Sequence, residues 1–339
     1  MKKSLFLSLL AFLFSVCCPI APPRAPAVPQ AAESGRPAPP ILAAPAESAA
    51  PALSTPAPAA AEVPATITLQ CGGETLELPL EDYLCGVVAA EMPVSFPPEA
   101  LKAQAVAART YALAGLSAGK HGAAAVCSDP GCCQAWLSEE ALRANWGDAY
   151  DENSGKIRSA VESTAGQLLR YGDEPVFAAF HSSSAGATED CGAVWNARPY
   201  LISVSSPETA ADVPGYVSVV SVWPTDFRDT LLSLHPEADF SGPAGGWIGE
   251  IRRDGSGRVA EAVLGGVSFG GVALRQLFSL RSTSFELSYD GGLFVFTVTG
   301  FGHGVGMSQY GAKVMAERGA DYREILAHYY PGTELVLSS

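Results

Sequence analysis

The chain has 339 residues, 48% hydrophobic and 17% charged, enough for a sizeable core in one large domain or two smaller ones. With 21 Lys and Arg against 35 Asp and Glu, its formal net charge is -14. That sign repels polyanions and argues against nucleic acid and anionic-lipid surfaces, so an uncharged or weakly charged polymer fits better as a partner.

Residues 1–18, MKKSLFLSLLAFLFSVCC, set two lysines ahead of an apolar run. This is the layout of a signal peptide or of a short, uncleaved membrane anchor, and both readings stay open. In either case the globular part lies outside the cytoplasm, anchored to the cell membrane or secreted to the wall. Residues 19–64 are nearly all Ala, Pro, Ser and Glu with no apolar periodicity, a disordered, semi-rigid tether.

The folded part begins near Ala65. ATITLQCGGETLELPL (65–80) alternates apolar and polar residues around Gly-Gly and predicts a hairpin. LEDYLCGVVAAEMP (80–93) has a helical pattern stopped by Pro93, and residues 97–119 predict a long helix with prolines at its start and glycine at its end. A cysteine-rich loop follows. The stretch from Ser138 to Tyr171 predicts two helical pieces leading to a strand, PVFAAFHSSSAG. Residues 213–298 carry hairpin-like patterns and one helix, GVALRQLFSLR, so that residues 207–298 form a candidate inserted lobe that closes over substrate. GFGHGVGMSQYGA then forms a glycine-rich loop before a last helix, YREILAHYY. This non-alternating order predicts an α+β fold, a two-lobed domain with a cleft over residues 65–339.

Several residues carry chemistry on their own terms. Glu91 stands where a helix stops against Met92 and Pro93; an apolar wall there would raise its pKa toward that of a general acid, although a helix-terminal glutamate also serves as a solvated residue or cap. Asp82, Glu99 and Glu189 are available second carboxylates, each better read as a surface or capping residue. His181 and Ser182 are adjacent and line a cleft at most, since neighbouring residues rarely face each other productively. His303 sits in the glycine-rich turn, either as a satisfied core histidine or as part of a cleft wall. His121, Cys127, Cys132 and Cys133 offer four soft ligands in thirteen residues, a set that suits tetrahedral zinc. Disulfides or free thiols remain alternatives for an exported chain.

DYLCGVVAAEMPVSFPPEALKAQAVAARTYAL, FHSSSAGATE through VWNARPYLISV, and GFGHGVGMSQYGAKVMAERGADYREILAHYYPGTEL form three ordered blocks. Together they resemble the stage II sporulation protein D family, the SpoIID/LytB domain. The resemblance implies a membrane-anchored lytic transglycosylase that cuts peptidoglycan glycan strands lacking stem peptides. It further implies a cell-wall amidase of the SpoIIP type as partner and a role in engulfment or wall remodelling. It puts Glu91 on the family's catalytic glutamate and gives Arg109 of the ARTY motif a bond to Glu91 or to a sugar. Tyr200 is placed near the cleft, with His303, Ser308 and Gln309 close to the glycan. Some members bind zinc through two His and two Cys ending His-Cys-Gln; CCQ here implies a Cys₃His structural site. Ile202 departs from the pattern, since a lysine is frequent there. A noncatalytic peptidoglycan-binding activator of an amidase is the other reading the resemblance allows.

Overall fold

Gly72 and Gly73, at φ 59° and 89°, turn strand β1 (Thr66–Cys71) back onto β2 (Glu74–Pro79), a reversal that needs positive φ at both central residues. The computed structural model describes residues 63–338 apart from 119, 120 and 123; the signal or anchor segment and all but the last two residues of the tether lie outside the described residues. Helix α1 (Leu80–Glu91) follows directly, with Glu81 and Asp82 in its first turn, and ends as Met92 becomes extended ahead of Pro93. Helix α2 (Pro98–Ala118) begins at a proline whose missing N–H has no helical partner to lose.

Ala100, Leu101, Ala103, Ala105, Val106, Ala107, Ala108 and Ala112 of α2 are all fully buried, and from Ala103 to Thr110 this helix is enclosed on every side. Its small side chains let α1, the helices Tyr150–Glu162, Gln309–Glu317 and Tyr322–Tyr329, and the strand Gln167–Tyr171 all pack against it. A short strand β3 (Val126–Cys127) pairs parallel to β1 and fastens the cysteine-rich loop to the hairpin. No helix among the described residues is long and apolar enough to cross a membrane.

A second hydrophobic core draws on Phe227 to Val298. Val217–Val222, Leu293–Thr299 and Phe285–Asp290 form one antiparallel sheet, and Ile248–Arg253, Val259–Leu264 and Val267–Gly270 another. Phe227 of the helix Pro224–Leu234 stacks on Phe294 with ring centroids 3.8 Å apart, and Trp247 covers the same ring at 5.5 Å. The fold is thus α+β, as the non-alternating order of elements predicts.

Three local expectations change. Helix Pro224–Leu234 and the strands Gln167–Tyr171 and Glu334–Leu337 are additional elements, and the chain leaves its second helix at Glu162 and reverses at Gly166 (φ 69°). PVFAAFHSSSAG is strand only at Pro175, the end of the short strand Glu174–Pro175, and at Phe180–His181, because the backbone beyond them pairs only at isolated positions, as Ser183 and Phe301 do with each other. Glu189 is buried, not a surface residue: its carboxylate lies 3.7 Å from Nε of Arg258 and accepts from Ser256 Oγ at 3.1 Å.

Burial, helped by the Asp254 carboxylate, pushes Glu189 up to about 7 from its ordinary 4.5 despite Arg258. The folded state therefore keeps a proton that the unfolded chain loses between these values, so stability falls as pH rises through that window. Glu189→Gln is expected to flatten this limb, read as the urea midpoint against pH; an unchanged slope would remove Glu189 as its source.

Candidate active site

The last residue of α1 projects into a cleft of about 850 Å³. Glu91 Oε1 accepts the Ala135 backbone N–H at 2.7 Å and Oε2 accepts Gln309 Nε2 at 3.2 Å. Burial raises its pKa above the usual 4.5, and these two hydrogen bonds pull the other way. Met92 and Phe96, which follow it in the chain, are both buried.

Two close approaches of backbone hold the surroundings. A Cβ at Gly86 would collide with the Trp136 indole and lie 2.6 Å from the Leu137 carbonyl oxygen, so residues 136–137 can lie on α1 only because residue 86 is glycine. Leu137 N–H donates to Gly86 O at 3.3 Å, and Gln134 Nε2 donates to Tyr83 Oη at 2.6 Å. The loop that carries Ala135 is therefore pinned to the helix that carries Glu91. On the opposite side Gly306, at φ 71°, lies against the Ala179 carbonyl, where a side chain would clash. The glycine-rich turn thereby sits flat on the segment holding His181 and Ser182.

His181 and His303 both line the cleft, their ring centroids 5.8 Å apart. Val305 O can only accept, so His181 Nδ1 carries the proton given to it at 3.2 Å, and Nε2 accepts from Ser184 Oγ at 2.6 Å. His303 Nδ1 accepts the Val305 N–H at 3.1 Å. Burial lowers His181 well below its ordinary value and takes His303 down to about 4, so both rings are neutral near pH 7. They are fixed wall elements with their nitrogens already engaged. Ser182 also faces the cleft, and Ser184, buried beneath His181, gives that imidazole no exposed nucleophile to activate.

Three expected site residues are elsewhere. Arg109 is fully buried and faces away from Glu91: Nη2 donates to Glu81 Oε2 at 2.6 Å, Nε to Oε1 at 3.1 Å, and Nη1 to Thr164 O at 2.9 Å. It ties α1 and α2 to the turn after the helix Tyr150–Glu162, where the Glu81 carboxylate and the second lone pairs of backbone carbonyls meet a desolvated guanidinium. Arg109→Ala is expected to cost on the order of 3 kcal/mol in chemical denaturation. Tyr200 is buried outside the cleft, where its hydroxyl accepts from the Phe177 N–H at 3.0 Å and from Arg198 Nη1 at 3.3 Å; it positions two cleft residues without facing the substrate space. Ser308 is fully buried: Oγ donates to Glu208 at 2.5 Å and accepts Gly311 N–H at 3.1 Å as the cap of the helix Gln309–Glu317. Ile202 is exposed and also outside the cleft.

His121, Cys127, Cys132 and Cys133 converge, with one ligand atom from each lying within 4.8 Å of all the others. His121 Nε2 is 3.1 Å from Cys133 Sγ and 3.7 Å from Cys132 Sγ. Tetrahedral zinc with bonds of about 2.0–2.3 Å separates its donors by roughly 3.3–3.8 Å, so this donor set fits that ion. No disulfide forms among the described residues. Cys133 precedes Ala135 by two positions, which links this cluster to the grip on Glu91.

The family model described as "SpoIID: Stage II sporulation protein" matches residues 73–171. Stage II sporulation protein D of Bacillus amyloliquefaciens is 40% identical over 263 residues, covering 76% of this chain and 74% of that protein. The chain belongs to the stage II sporulation protein D family. Its namesake from Bacillus subtilis (strain 168) is 39% identical over 262 residues, again 76% of this chain and 74% of the relative. An amidase enhancer of the same organism is 30% identical over 302 residues, covering 74% of this chain and 40% of the enhancer.

This stage II sporulation protein D family member also brings to its cleft residues that motif reading passes over. Tyr111, two positions after Arg109, turns the other way and meets Cys133. Trp195 and Phe301 present aromatic faces 43% and 44% exposed, and Arg198 and Arg275 add guanidinium groups. The exposed aromatics inside VWNARPY and GFGHG were the available signal for the first two; Arg275 lies in a segment with no motif at all.

Proposed function

We propose that the cleft cleaves peptidoglycan glycan strands lacking stem peptides by lytic transglycosylation, leaving 1,6-anhydro-N-acetylmuramyl ends. The observation that carries this is Glu91: a desolvated carboxyl with a raised pKa, oriented by Ala135 and Gln309, opening into a cleft with exposed aromatic faces. Protonated Glu91 delivers its proton to the glycosidic oxygen as the bond to C1 breaks. As carboxylate it then takes the proton of the sugar's own 6-hydroxyl while that oxygen closes on C1. One carboxyl therefore suffices, in contrast to hydrolases that need a second to activate water or attack the sugar. Among the described residues, Glu174 is the other carboxylate along the cleft and is exposed.

His121, Cys127, Cys132 and Cys133 would hold zinc with no position left for a reactive water, so the ion would supply structure, bracing the loop whose Ala135 N–H orients Glu91. The N-terminal segment and tether would place the cleft outside the cytoplasm at the membrane or wall, with a cell-wall amidase stripping the strands beforehand.

The test is digestion of stripped glycan strands by the full chain, followed by mass spectrometry. Anhydro ends support the transglycosylase; reducing ends would instead indicate hydrolysis. The similarity to an amidase enhancer favours a second reading, a noncatalytic glycan-binding activator, which strands that bind but stay intact would bring to the front.

A further inference from the structure

In a chain with 35 acidic against 21 basic side chains, a guanidinium without a carboxylate partner does not lack for candidates. Arg228, Arg252, Arg253 and Arg258 each find one. Two arginines along the cleft do not. Arg275, on the helix Gly271–Leu277, gives its Nε–H to Leu280 O at 3.3 Å, and Arg198 gives an N–H to Tyr200 Oη at 3.3 Å while lying 5.1 Å from the centre of the Phe177 ring. Among the described residues neither forms an ion pair.

Their surroundings point to a sugar that carries an anion. Arg275 lies close enough to His303 to depress its protonation, and His303 is in ring contact with Trp195 at 4.7 Å. A half-buried cation and an exposed indole therefore share one part of the cleft wall, with Phe301 two positions before His303 in the chain. A partly desolvated guanidinium gains most from an anion that can accept two parallel hydrogen bonds, and a carboxylate does so. The net charge of -14 gives such a ligand no general attraction to the protein.

We propose that Arg275 and Arg198 form a subsite for the lactyl carboxylate of a muramyl residue from which the peptide has been removed; this rests on the glycan reading above. While a stem peptide is attached, the lactyl carbon is a neutral amide and the subsite gains no charge pairing. Removal of the peptide frees the carboxylate. The subsite thus reads, through one charge, whether a strand has already been stripped.

The experiment measures binding of the full chain, carrying Glu91→Gln to prevent turnover, to three probes. These are stripped glycan strands, the same strands with their lactyl groups converted to methylamides, and a chitooligosaccharide of equal length. The stripped strands are expected to bind about 10- to 100-fold more tightly than the methylamides, with the gap narrowing as salt is added. Arg275→Gln and, separately, the exposed Arg198→Gln are expected to shrink that gap, and chitooligosaccharide affinity reports whether the cleft remains intact. Equal affinity for acid and amide, or a gap unchanged in both variants, overturns the subsite and leaves the glycan reading standing. Failure to bind any of the three overturns both.

Discussion

Glu91→Gln is expected to lower glycan cleavage by about 10²- to 10⁴-fold or more while the strands still bind. Glutamine keeps the shape of the side chain and can still accept the Ala135 N–H that glutamate accepts at 2.7 Å, so the cleft should keep its form. What it cannot do is give up a proton to the leaving oxygen. The same logic fixes the pH profile. Activity requires the protonated acid, so it falls as pH rises through the Glu91 pKa, and burial moves that alkaline limb above the ordinary 4.5. Gln309→Ala removes a hydrogen bond that favours the carboxylate, so the limb should move to higher pH. A full-rate Glu91→Gln enzyme would end the assignment, and a limb that Gln309→Ala shifts downward would refute the electrostatics behind it.

Cys133→Ser is expected to produce the other large effect, and at two levels. On the zinc reading the wild-type chain carries about one equivalent of metal by elemental analysis, and the variant loses it. Because metal binding is linked to the folded loop, a loss of at least about 3 kcal/mol is expected, a fall in melting temperature of roughly 10 °C. Cleavage should collapse with it although Glu91 takes its two side-chain hydrogen bonds from Ala135 and Gln309 and not from the cluster, since Ala135 lies two residues after Cys133. Metal-free wild-type protein with an unchanged melting temperature in the variant would show that the loop is held by its packing on Gly86 and Tyr83 alone.

The two experiments separate chemistry from support, and the buried arginine belongs wholly to support. A polar residue in the middle of an alanine-rich helix marks a special position, but its sequence neighbours do not say which way it points. In the structure Arg109 turns inward to Glu81 and three backbone carbonyls, whereas Tyr111 turns to the cysteines. Ser308 and Tyr200 are similar cases: their neighbours in sequence line the cleft, yet their hydroxyls serve the scaffold. Proximity along the chain put them near the site without putting them in it.

By itself the sequence determined the local conformations and the residue chemistry of the site. Gly72-Gly73 makes the hairpin, Pro93 and Pro97 set the end of one helix and the start of the next, and four ligand-bearing residues within thirteen positions can converge through a single loop. These features depend on backbone sterics and on short stretches of chain. The tertiary structure alone decided that Glu91 meets Gln309 across 218 residues, that Glu189 and Arg258 pair in the interior, and that Arg275 reaches the cleft from the second core. Such partnerships depend on how two cores pack, where many side chains compete for the same space and no local pattern records which of them wins.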